Sequence, residues 1–496
     1  MVTSNAIVIN FKGGIISPGY LKEVLLLAKE ARVENLRFGL RQQLLLDIPL
    51  KYFPDFANAC KEKGILFYNK KEALPNIVSS YPADGIFTSN SWLKEGVYKD
   101  IFDLFDYEPQ LKINICDKNQ RFVLFFTGHL NWVSSPTAHF WYLYIRFPHS
   151  RAIYCWPELI YTNDIANLSK VLEKLILNPT NEEANGNIFY QIIKRNKKSH
   201  YTTKAIEEQL SIPKFSLSYY EGFNKSESSY WLGIYRRDEL FSLKFLLEAC
   251  EICLATRVGE IYTTSWKSLI IKGIDPGQRH YWDFILGKFR INVRHAANEL
   301  NWQIEDNKEA LILKRIIIRY FDKEDVRTFG LCFAIQTKPL FNMFASIVIR
   351  KSNLKNLNRL KSLDRYDILY ENSFNPNGAG LTLFREKVEK NFIGPYLVSL
   401  CKMFYERESD GNLLTEDNTQ TAYSEQPLQE EKYIHQCKHC LTVYDETEEN
   451  TSGESYIGKS FEELPQNYTC PLCDSGKGDF IRIKQEQLEF VEIDSK

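Results

Sequence analysis

YIHQCKHCLTVYD, residues 433–445, and FEELPQNYTCPLCDSGKGDF, residues 461–480, each contain one Cys-x-x-Cys unit, and 29 residues separate the two units. Each unit forms a tight turn that directs two sulfur atoms at one point, so two units can complete a tetrahedral site of four thiolates. Thiolates favour iron or zinc, and the spacing does not distinguish these metals. The predicted ligands of one metal ion are Cys437, Cys440, Cys470 and Cys473.

The remaining composition excludes several classes of protein. Eleven cysteines among 496 residues are too few for a disulfide scaffold, and paired Cys-x-x-Cys units in a reducing compartment indicate metal or redox chemistry. Apolar stretches such as HFWYLYI (139–145) are far shorter than the roughly 20 residues of a membrane-spanning helix. The N-terminal residues lack the pattern of a signal peptide. We therefore expect a cytoplasmic protein without membrane insertion.

The net charge of −1 is the sum of regions with opposite charges. Residues 1–405 carry a net charge of +12, residues 406–432 carry −6 and residues 433–496 carry −7. The basic residues are dispersed and no nucleic-acid-binding motif accompanies them, so nucleic acid is not an expected partner. The asymmetry instead predicts a salt-dependent attraction between the acidic and the basic parts of the chain.

A weak internal repeat divides the basic body. Segments 20–65 and 240–292, about 225 residues apart, both contain a Leu-rich helix pattern, a strand pattern and a second helix with aromatic residues. In the first copy one strand is expected to run through LRFGLRQQLLLDIP (36–49). A repeat of this length indicates duplicated α+β domains, because solenoid repeats are about 20–50 residues long.

The predicted domain boundaries follow from this repeat and from a change in composition. Residues 406–432 have almost no large apolar side chains, which is typical of a solvated, flexible linker. The expected regions are a first half (1–225), a second half (226–405), an acidic linker (406–432) and a metal-binding domain (433–496).

The metal-binding domain resembles rubredoxin. The likeness extends beyond the cysteines to Tyr444, Asp445, Phe461, Leu464, Pro465, Tyr468, Pro471, Lys477 and Phe480. It implies one iron bound by four cysteines, cycling between Fe(3+) and Fe(2+) and carrying one electron. The alternative is a structural zinc ribbon. His435 and His439 flank the first unit, and we expect both to be exposed and not to bind the metal.

The body is similar to the siroheme-dependent nitrite and sulfite reductases. The residues that carry this resemblance are NFKGGIISPGYLKEVLLLAKE (10–30), LRFGLRQQLLL (36–46) and PNIVSSYPADGI (75–86). The resemblance implies an α+β fold in which two ferredoxin-like halves alternate with two larger domains. Arg41 and Gln42 fall on the family's Arg-Gln pair, and Lys112 falls where the family presents a basic residue. These three residues are the candidate binding site for an anion or a tetrapyrrole.

The body lacks residues that this family uses for catalysis. The family binds a [4Fe–4S] cluster, bridged to siroheme, through Cys-x5-Cys and Cys-x3-Cys units, and residues 1–405 contain neither spacing. The arginine that the family places before Asn76 is Pro75 here. We therefore predict a degenerate, catalytically silent body without siroheme or a [4Fe–4S] cluster, and an electron carrier rather than an enzyme.

Three functions are compatible with these patterns. The first is an electron-transfer protein whose rubredoxin-type centre is tethered to a catalytically silent docking body. Its partners would be redox proteins: a reductase as the electron donor, and a nitrite or sulfite reductase as the electron acceptor. The second is an active siroheme-type reductase that uses the rubredoxin iron as its electron donor. The third is a structural interaction protein with a zinc ribbon.

Overall fold

The computed structural model divides into two compact units, Met1–Thr421 and Ala422–Lys496. Within them it describes residues 4–87, 91–148, 150, 152–178, 185–195, 201–226, 228–293, 297–338, 343–352, 364–378, 380–409, 433–439, 444, 461–470 and 475–484. In this part of the chain, no helix has the length and apolar character that crossing a membrane requires.

The first half begins with a small domain. Its elements are β1 (Ser4–Asn10), β2 (Ile15–Ile16), α1 (Pro18–Glu30), β3 (Asn35–Phe38), β4 (Gln43–Pro49), α2 (Phe53–Glu62) and β5 (Tyr68–Asn69). Helix α1 begins where the Ser17 side chain accepts a hydrogen bond from the Tyr20 backbone N–H and Pro18 occupies the first turn, both typical of a helix start. Its buried residues pack against the sheet and stabilise the domain.

A larger domain follows in the first half. Its elements are β6 (Val78–Ser79), α3 (Glu95–Leu104), β7 (Ile113–Cys116), β8 (Leu130–Ser134), β9 (Phe140–Arg146), β10 (Ile153–Cys155), β11 (Glu158–Tyr161), α4 (Ile165–Ile176), α5 (Gly186–Arg195) and β12 (Thr203–Ala205). Strands β6, β7 and β8 are parallel neighbours, and β9 pairs with β8 in the antiparallel direction.

The second half repeats this order. Its small domain contains β13 (Gly222–Lys225), β14 (Tyr230–Ile234), β15 (Phe241–Ser242), α6 (Leu243–Ala255), β16 (Ile261–Thr263), β17 (Leu269–Ile274) and α7 (Arg279–Lys288). Its larger domain contains β18 (Trp302–Ile304), α8 (Lys308–Lys323), β19 (Phe333–Gln336), β20 (Ile347–Lys351), β21 (Arg365–Glu371), β22 (Leu381–Glu389) and α9 (Ile393–Ser409). Strands β18, β19 and β20 are parallel, and β21 pairs antiparallel with β20.

The two small domains exchange a short strand. Ile16 of β2 pairs with Ile261 in the second sheet, and Phe241 of β15 pairs with Leu36 in the first sheet. The two pairings correspond to each other through the repeat. Phe241 lies 225 residues after Ile16, and Ile261 lies 225 residues after Leu36. Side chains from both domains form one continuous core. The exchange therefore joins the halves through backbone hydrogen bonds as well as apolar burial.

Each small domain has a hairpin where the sequence predicted one strand. In LRFGLRQQLLLDIP (36–49), β3 ends at Phe38 and β4 begins at Gln43, and the two strands pair antiparallel. Gln42 closes the turn with a left-handed backbone (φ 57°). The single strand was wrong because residues 39–42 form a turn between the two strands.

A left-handed turn before the first helix of each half has different residues in the two copies. The first half has Gly13 and Gly14 there, with φ of 66° and 78°, whereas the second half has Asp238 and Glu239, with φ of 67° and 58°. Residues with a Cβ atom rarely adopt this conformation, and they do so at a cost in free energy. The second half retains two carboxylates in spite of that cost.

Glu239 is the centre of a buried ion cluster. One of its carboxylate oxygens lies 2.6 Å from Lys267 Nζ, and the other lies 3.2 Å from Lys314 Nζ on α8. The side chains of all three residues are at most 4% exposed. Burial raises the pKa of Glu239, but the two ammonium groups outweigh that effect, so the pKa falls below its ordinary value.

The C-terminal unit contains the strands β23 (Tyr433–Cys437) and β24 (Phe480–Lys484), which pair antiparallel. Helix α9 of the body continues to Ser409, so the first four residues of the segment predicted as a linker are helical. The other boundaries proposed from composition stay predictions.

Candidate functional site

The two cysteine segments are brought together by the β23–β24 pair. Cys437 at the end of β23 pairs with Phe480 at the start of β24. Beyond it, the Lys438 backbone N–H donates to the carbonyl of Asp479 at 2.9 Å. The Cys470 backbone N–H donates to the carbonyl of Ser475 at 2.8 Å.

A small aromatic core surrounds these cysteines. The Phe461 ring lies 5.0 Å from the Phe480 ring and 5.4 Å from the Tyr444 ring, and Tyr468 lies 5.9 Å from Phe480 between ring centroids. Lys477 Nζ donates to the carbonyl oxygens of residues 462 and 464 and lies over the Phe461 ring. These are the aromatic positions and the lysine that carried the resemblance. Such a small core buries little apolar surface, and domains of this size are commonly stabilised by a bound metal or by disulfides.

Cys437 and Cys470 fit a thiolate-bound metal. Both side chains are fully buried, and both belong to the same cluster as the aromatic core. Cys440 and Cys473 lie outside the described residues. Two sulfur donors from different segments in one apolar cluster match the soft ligands that iron and zinc accept in proteins.

The two histidines of this domain differ in exposure. The His435 ring stacks on Phe461 at 4.1 Å between centroids, and its side chain is only 17% exposed. His439 has a 61% exposed side chain, near Asp479. The expectation of two exposed histidines was therefore wrong for His435, because an adjacent aromatic ring covers its imidazole.

Within the body, cationic side chains meet at one edge of the first larger sheet. Lys112 directly precedes β7, His129 directly precedes β8, and Arg146 is the last residue of β9. The His129 backbone N–H donates to the Lys112 carbonyl at 2.6 Å, and the Arg146 N–H donates to the His129 carbonyl at 2.8 Å. The three residues therefore form a row across adjacent strands. Together with Arg41 we call them the basic edge.

Arg41 is held by oxygen atoms that lie beside this row. Its guanidinium donates to the Asn76 carbonyl at 2.7 Å, to the Ile113 carbonyl at 2.8 Å and to the Asn114 side-chain oxygen at 3.2 Å. Among the residues that the structure describes, no carboxylate pairs with Arg41. Its charge therefore contributes to the basic edge without being neutralised by a described acidic group.

Gln42 is directed away from solvent. Its side-chain amide donates to the Ser79 carbonyl at 3.0 Å and accepts from the Ser79 backbone N–H at 2.8 Å, and the residue is fully buried. These two bonds connect the β3–β4 turn of the small domain to β6 of the larger domain. Gln42 thus anchors the turn in which Arg41 lies.

The cations of the basic edge influence one another. Burial is the main cause that lowers the pKa of Lys112, to about 8, and the guanidinium groups of Arg41 and Arg146 add to it. Burial and Arg146 likewise lower the pKa of Arg41. The sequence did not single out Arg146, because it ends a strand of aromatic and apolar residues whose pairing only the fold defines.

The basic edge faces the second half of the body. The Arg146 guanidinium lies over the Phe344 ring, 5.2 Å from its centroid. Nearby, the Phe125 backbone N–H donates to the side-chain oxygen of Asn377 at 2.8 Å. Residues of both halves therefore surround this edge, as expected for a site at a junction between domains.

Six of the seven cysteines of the body lie in buried cores. Cys60, Cys250 and Cys253 are buried in the core of the small domains, Cys116 and Cys332 in a core to which both larger domains contribute, and Cys401 in the core of the second larger domain. Burial raises the pKa of the Cys60 thiol to about 11 and that of Cys401 to about 12. A [4Fe–4S] cluster needs its cysteine ligands at one place, whereas these six cysteines are divided among three cores.

Comparison with known proteins defines the class of the C-terminal domain. The rubredoxin family model matches residues 434–480. Over 47 residues the chain is 36% identical to Rubredoxin-2 of Chlorobaculum tepidum, which covers 10% of this chain and 90% of that protein. Over 51 residues it is 35% identical to Rubredoxin-2 of Desulfovibrio desulfuricans, and this match covers 10% of this chain and 82% of that protein. The chain belongs to the rubredoxin family through this segment, and that family implies an iron centre bound by cysteines.

The body shares its fold with a protein of known structure. The structure resembles that of the Mycobacterium tuberculosis NirA protein with a TM-score of 0.63 and 13% sequence identity, covering 83% of this chain and 84% of that chain. This likeness confirms the reductase-like α+β fold that the sequence predicted for the body. At this identity it concerns the fold alone.

Proposed function

We propose that this protein carries single electrons on an iron bound by Cys437, Cys440, Cys470 and Cys473, and that the reductase-like body serves to dock its redox partners. The observation that carries the proposal is the burial of Cys437 and Cys470 in one aromatic cluster within a rubredoxin domain. When bound, the iron supplies one-electron chemistry, Fe(3+) to Fe(2+). The surrounding rings exclude water from the two thiolates.

The body adds a binding site to this carrier. Arg41 and Lys112, joined by Arg146, concentrate positive charge at the basic edge, which suits an oxoanion or a carboxylate. The carboxylates of a tetrapyrrole have the same chemistry. Because the carrier and the body belong to one chain, a partner bound to the body meets the iron at an effective concentration on the order of millimolar.

The body in this proposal contains no [4Fe–4S] cluster and does not reduce nitrite or sulfite by itself. One observation supports this part: six of its seven cysteines are divided among three separate cores. The protein would then act in the cytoplasm between a reductase and an acceptor enzyme, with nitrite or sulfite assimilation as the setting that the fold suggests.

An absorption spectrum with metal analysis of the full-length protein tests the proposal. We expect about one iron per chain and ferric–thiolate bands that dithionite bleaches, because four thiolates bind one iron. Zinc in place of iron would establish the structural alternative. Bands of a tetrapyrrole would contradict the silent body and favour an active siroheme-type reductase.

Anion binding at the basic edge is expected to weaken as the pH rises above 8. The Lys112 ammonium, whose pKa is about 8, attracts an anion only when it is protonated. Above pH 8 the dissociation constant should therefore increase roughly tenfold per pH unit. Calorimetric titration of the full-length protein with sulfate between pH 6.5 and 9.5 measures this, because sulfate keeps its charge in that range. A Lys112→Met variant provides the control. It should bind sulfate more weakly, and its dissociation constant should not increase as the pH passes 8.

A further inference from the structure

We propose that the groove between α8 and α9 docks a protein partner that presents apolar side chains between carboxylates. The inference rests on the proposed role of the body in docking redox partners, and it gives that role a surface and a kind of partner. The groove has a volume of about 360 Å³. Its lining combines apolar and cationic residues: Ile316, Tyr320 and Gly394 with Arg319, Lys323 and Lys390.

Helix α8 contributes one apolar and basic face to this groove. Ile316, Arg319 and Lys323 follow one another at intervals of three and four residues, which places them on the same side of the helix. Ile312 lies one turn before Ile316 on that side. Ile312 is 47% exposed and Ile316 is 37% exposed. A partner that covers both isoleucines removes apolar surface from water, and this favours binding.

Helix α9 approaches α8 closely at a glycine. A Cβ atom at Gly394 would lie 2.6 Å from Cγ of Tyr320, so the tyrosine ring lies directly against the α9 backbone. Just before α9, Phe392 is 56% exposed and follows Asn391, which lines the groove. Exposed apolar residues therefore continue beyond the groove along the chain on both helices. An apolar surface that extends past a cavity indicates a macromolecular partner rather than a small ligand.

The cations of the groove select the charge of that partner. Within the described part of the chain, Arg319 and Lys390 form no ion pair with a carboxylate. Lys323 approaches only the adjacent Glu324, at 3.9 Å, with side chains that are 78% and 42% exposed. A surface pair of this kind contributes little free energy. The three cations can therefore pair with carboxylates of a partner, and complementary charges speed association and fix its orientation.

The first half shows that the fold does not require such a surface. Helix α3 lies between the parallel strands β6 and β7 in the chain, as α8 lies between β18 and β19. The exposed residues of α3 are Glu95, Gly96, Asp100, Asp103 and Leu104. Those of α8 are Lys308, Ile312, Arg315, Ile316, Arg319, Asp322 and Lys323. The exposed face is thus mainly acidic in the first half, and it is basic and apolar in the second half alone.

Binding of labelled peptides to the full-length protein, measured by fluorescence anisotropy, tests this inference. The acidic apolar peptide has Leu and Phe between two pairs of Glu. In the acidic polar peptide two Ser replace Leu and Phe, and in the basic apolar peptide Lys replaces every Glu. We expect the acidic apolar peptide to bind on the order of tenfold more tightly than either of the others. Raising the salt concentration from about 0.02 M to about 0.5 M should weaken its binding.

Two variants and a matched control locate the binding surface. Arg319→Glu places a carboxylate in the groove, and Ile316→Ser removes an exposed apolar side chain. Each should weaken binding of the acidic apolar peptide on the order of tenfold. Both residues are partly or fully exposed, so Tm should change little. Lys244→Glu makes the same change in net charge at an exposed position of α6 in the small domain, and it should leave the affinity unchanged.

The possible results separate this inference from the proposed electron carrier. Equal binding of the two acidic peptides, or equal losses in Arg319→Glu and Lys244→Glu, would overturn the groove as the docking surface. Binding of phosphatidylcholine–phosphatidylglycerol vesicles, but of no peptide, would overturn the protein partner in favour of a membrane surface. If no peptide binds although the protein contains iron, this inference fails and the carrier stands. Selective peptide binding by a protein without iron would support the groove and overturn the carrier.

Discussion

Replacing Glu239 with Gln is expected to lower the free energy of unfolding by about 3–5 kcal/mol, because it leaves two buried ammonium groups without their counter-ion. Glu239 contacts Lys267 and Lys314 in a cluster that is at most 4% exposed. Removing one member of a buried ion cluster costs far more than breaking a pair at the surface. Denaturant unfolding of the wild type and the variant at pH 7 measures the difference.

The adjacent residue supplies a matched control. Asp238 also has a left-handed backbone, and it pairs with Arg315 at 2.5 Å, but its side chain is 39% exposed and that of Arg315 is 46% exposed. Asp238→Asn makes the same chemical change in a solvated pair and should cost at most about 1 kcal/mol. Equal losses in the two variants would contradict the structural role assigned to Glu239.

The stability contributed by Glu239 should also depend on pH in a defined direction. Its pKa in the folded protein is lower than the ordinary value of 4.5, so its contribution is present above that value. It decreases as the pH falls through the folded-state pKa. The difference between the wild type and Glu239→Gln should accordingly become smaller in acid.

Cys470→Ala is expected to abolish iron binding and to unfold the rubredoxin domain. Cys470 is fully buried beside Tyr468 and Phe480, in a domain whose apolar core is small. For such small domains the free energy of metal binding, about 10 kcal/mol or more in zinc fingers, is also the free energy of folding. Iron per chain should fall to near zero, the ferric–thiolate bands should disappear, and the unfolding transition of the body should remain.

Cys155→Ala is the appropriate control for this variant. Cys155 lies on β10 of the body, is partly exposed, and donates a long hydrogen bond of 3.5 Å to the Trp156 carbonyl. Removing this thiol should leave both the iron content and the spectrum unchanged. Retention of a full complement of iron by Cys470→Ala would exclude Cys470 as a ligand.

The sequence revealed the features that are encoded in residues close together along the chain. Two Cys-x-x-Cys units and their flanking aromatic residues identify the rubredoxin domain, because these features lie within short segments of the sequence. The helix and strand patterns repeated about 225 residues apart predict the duplicated body, because hydrophobic periodicity reports secondary structure directly. The charge of each region can likewise be counted without a structure.

The tertiary structure alone assembled the basic edge and the ion cluster around Glu239. Lys112, His129 and Arg146 are neighbours because three strands pair in one register, and neither the register nor the order of strands can be read from any one segment. Glu239 meets Lys267 within the small domain, and it meets Lys314 on α8 only after the small and larger domains of the second half have packed together. Local patterns therefore identified the metal-binding domain, whereas contacts between distant strands and domains created the basic edge and the ion cluster.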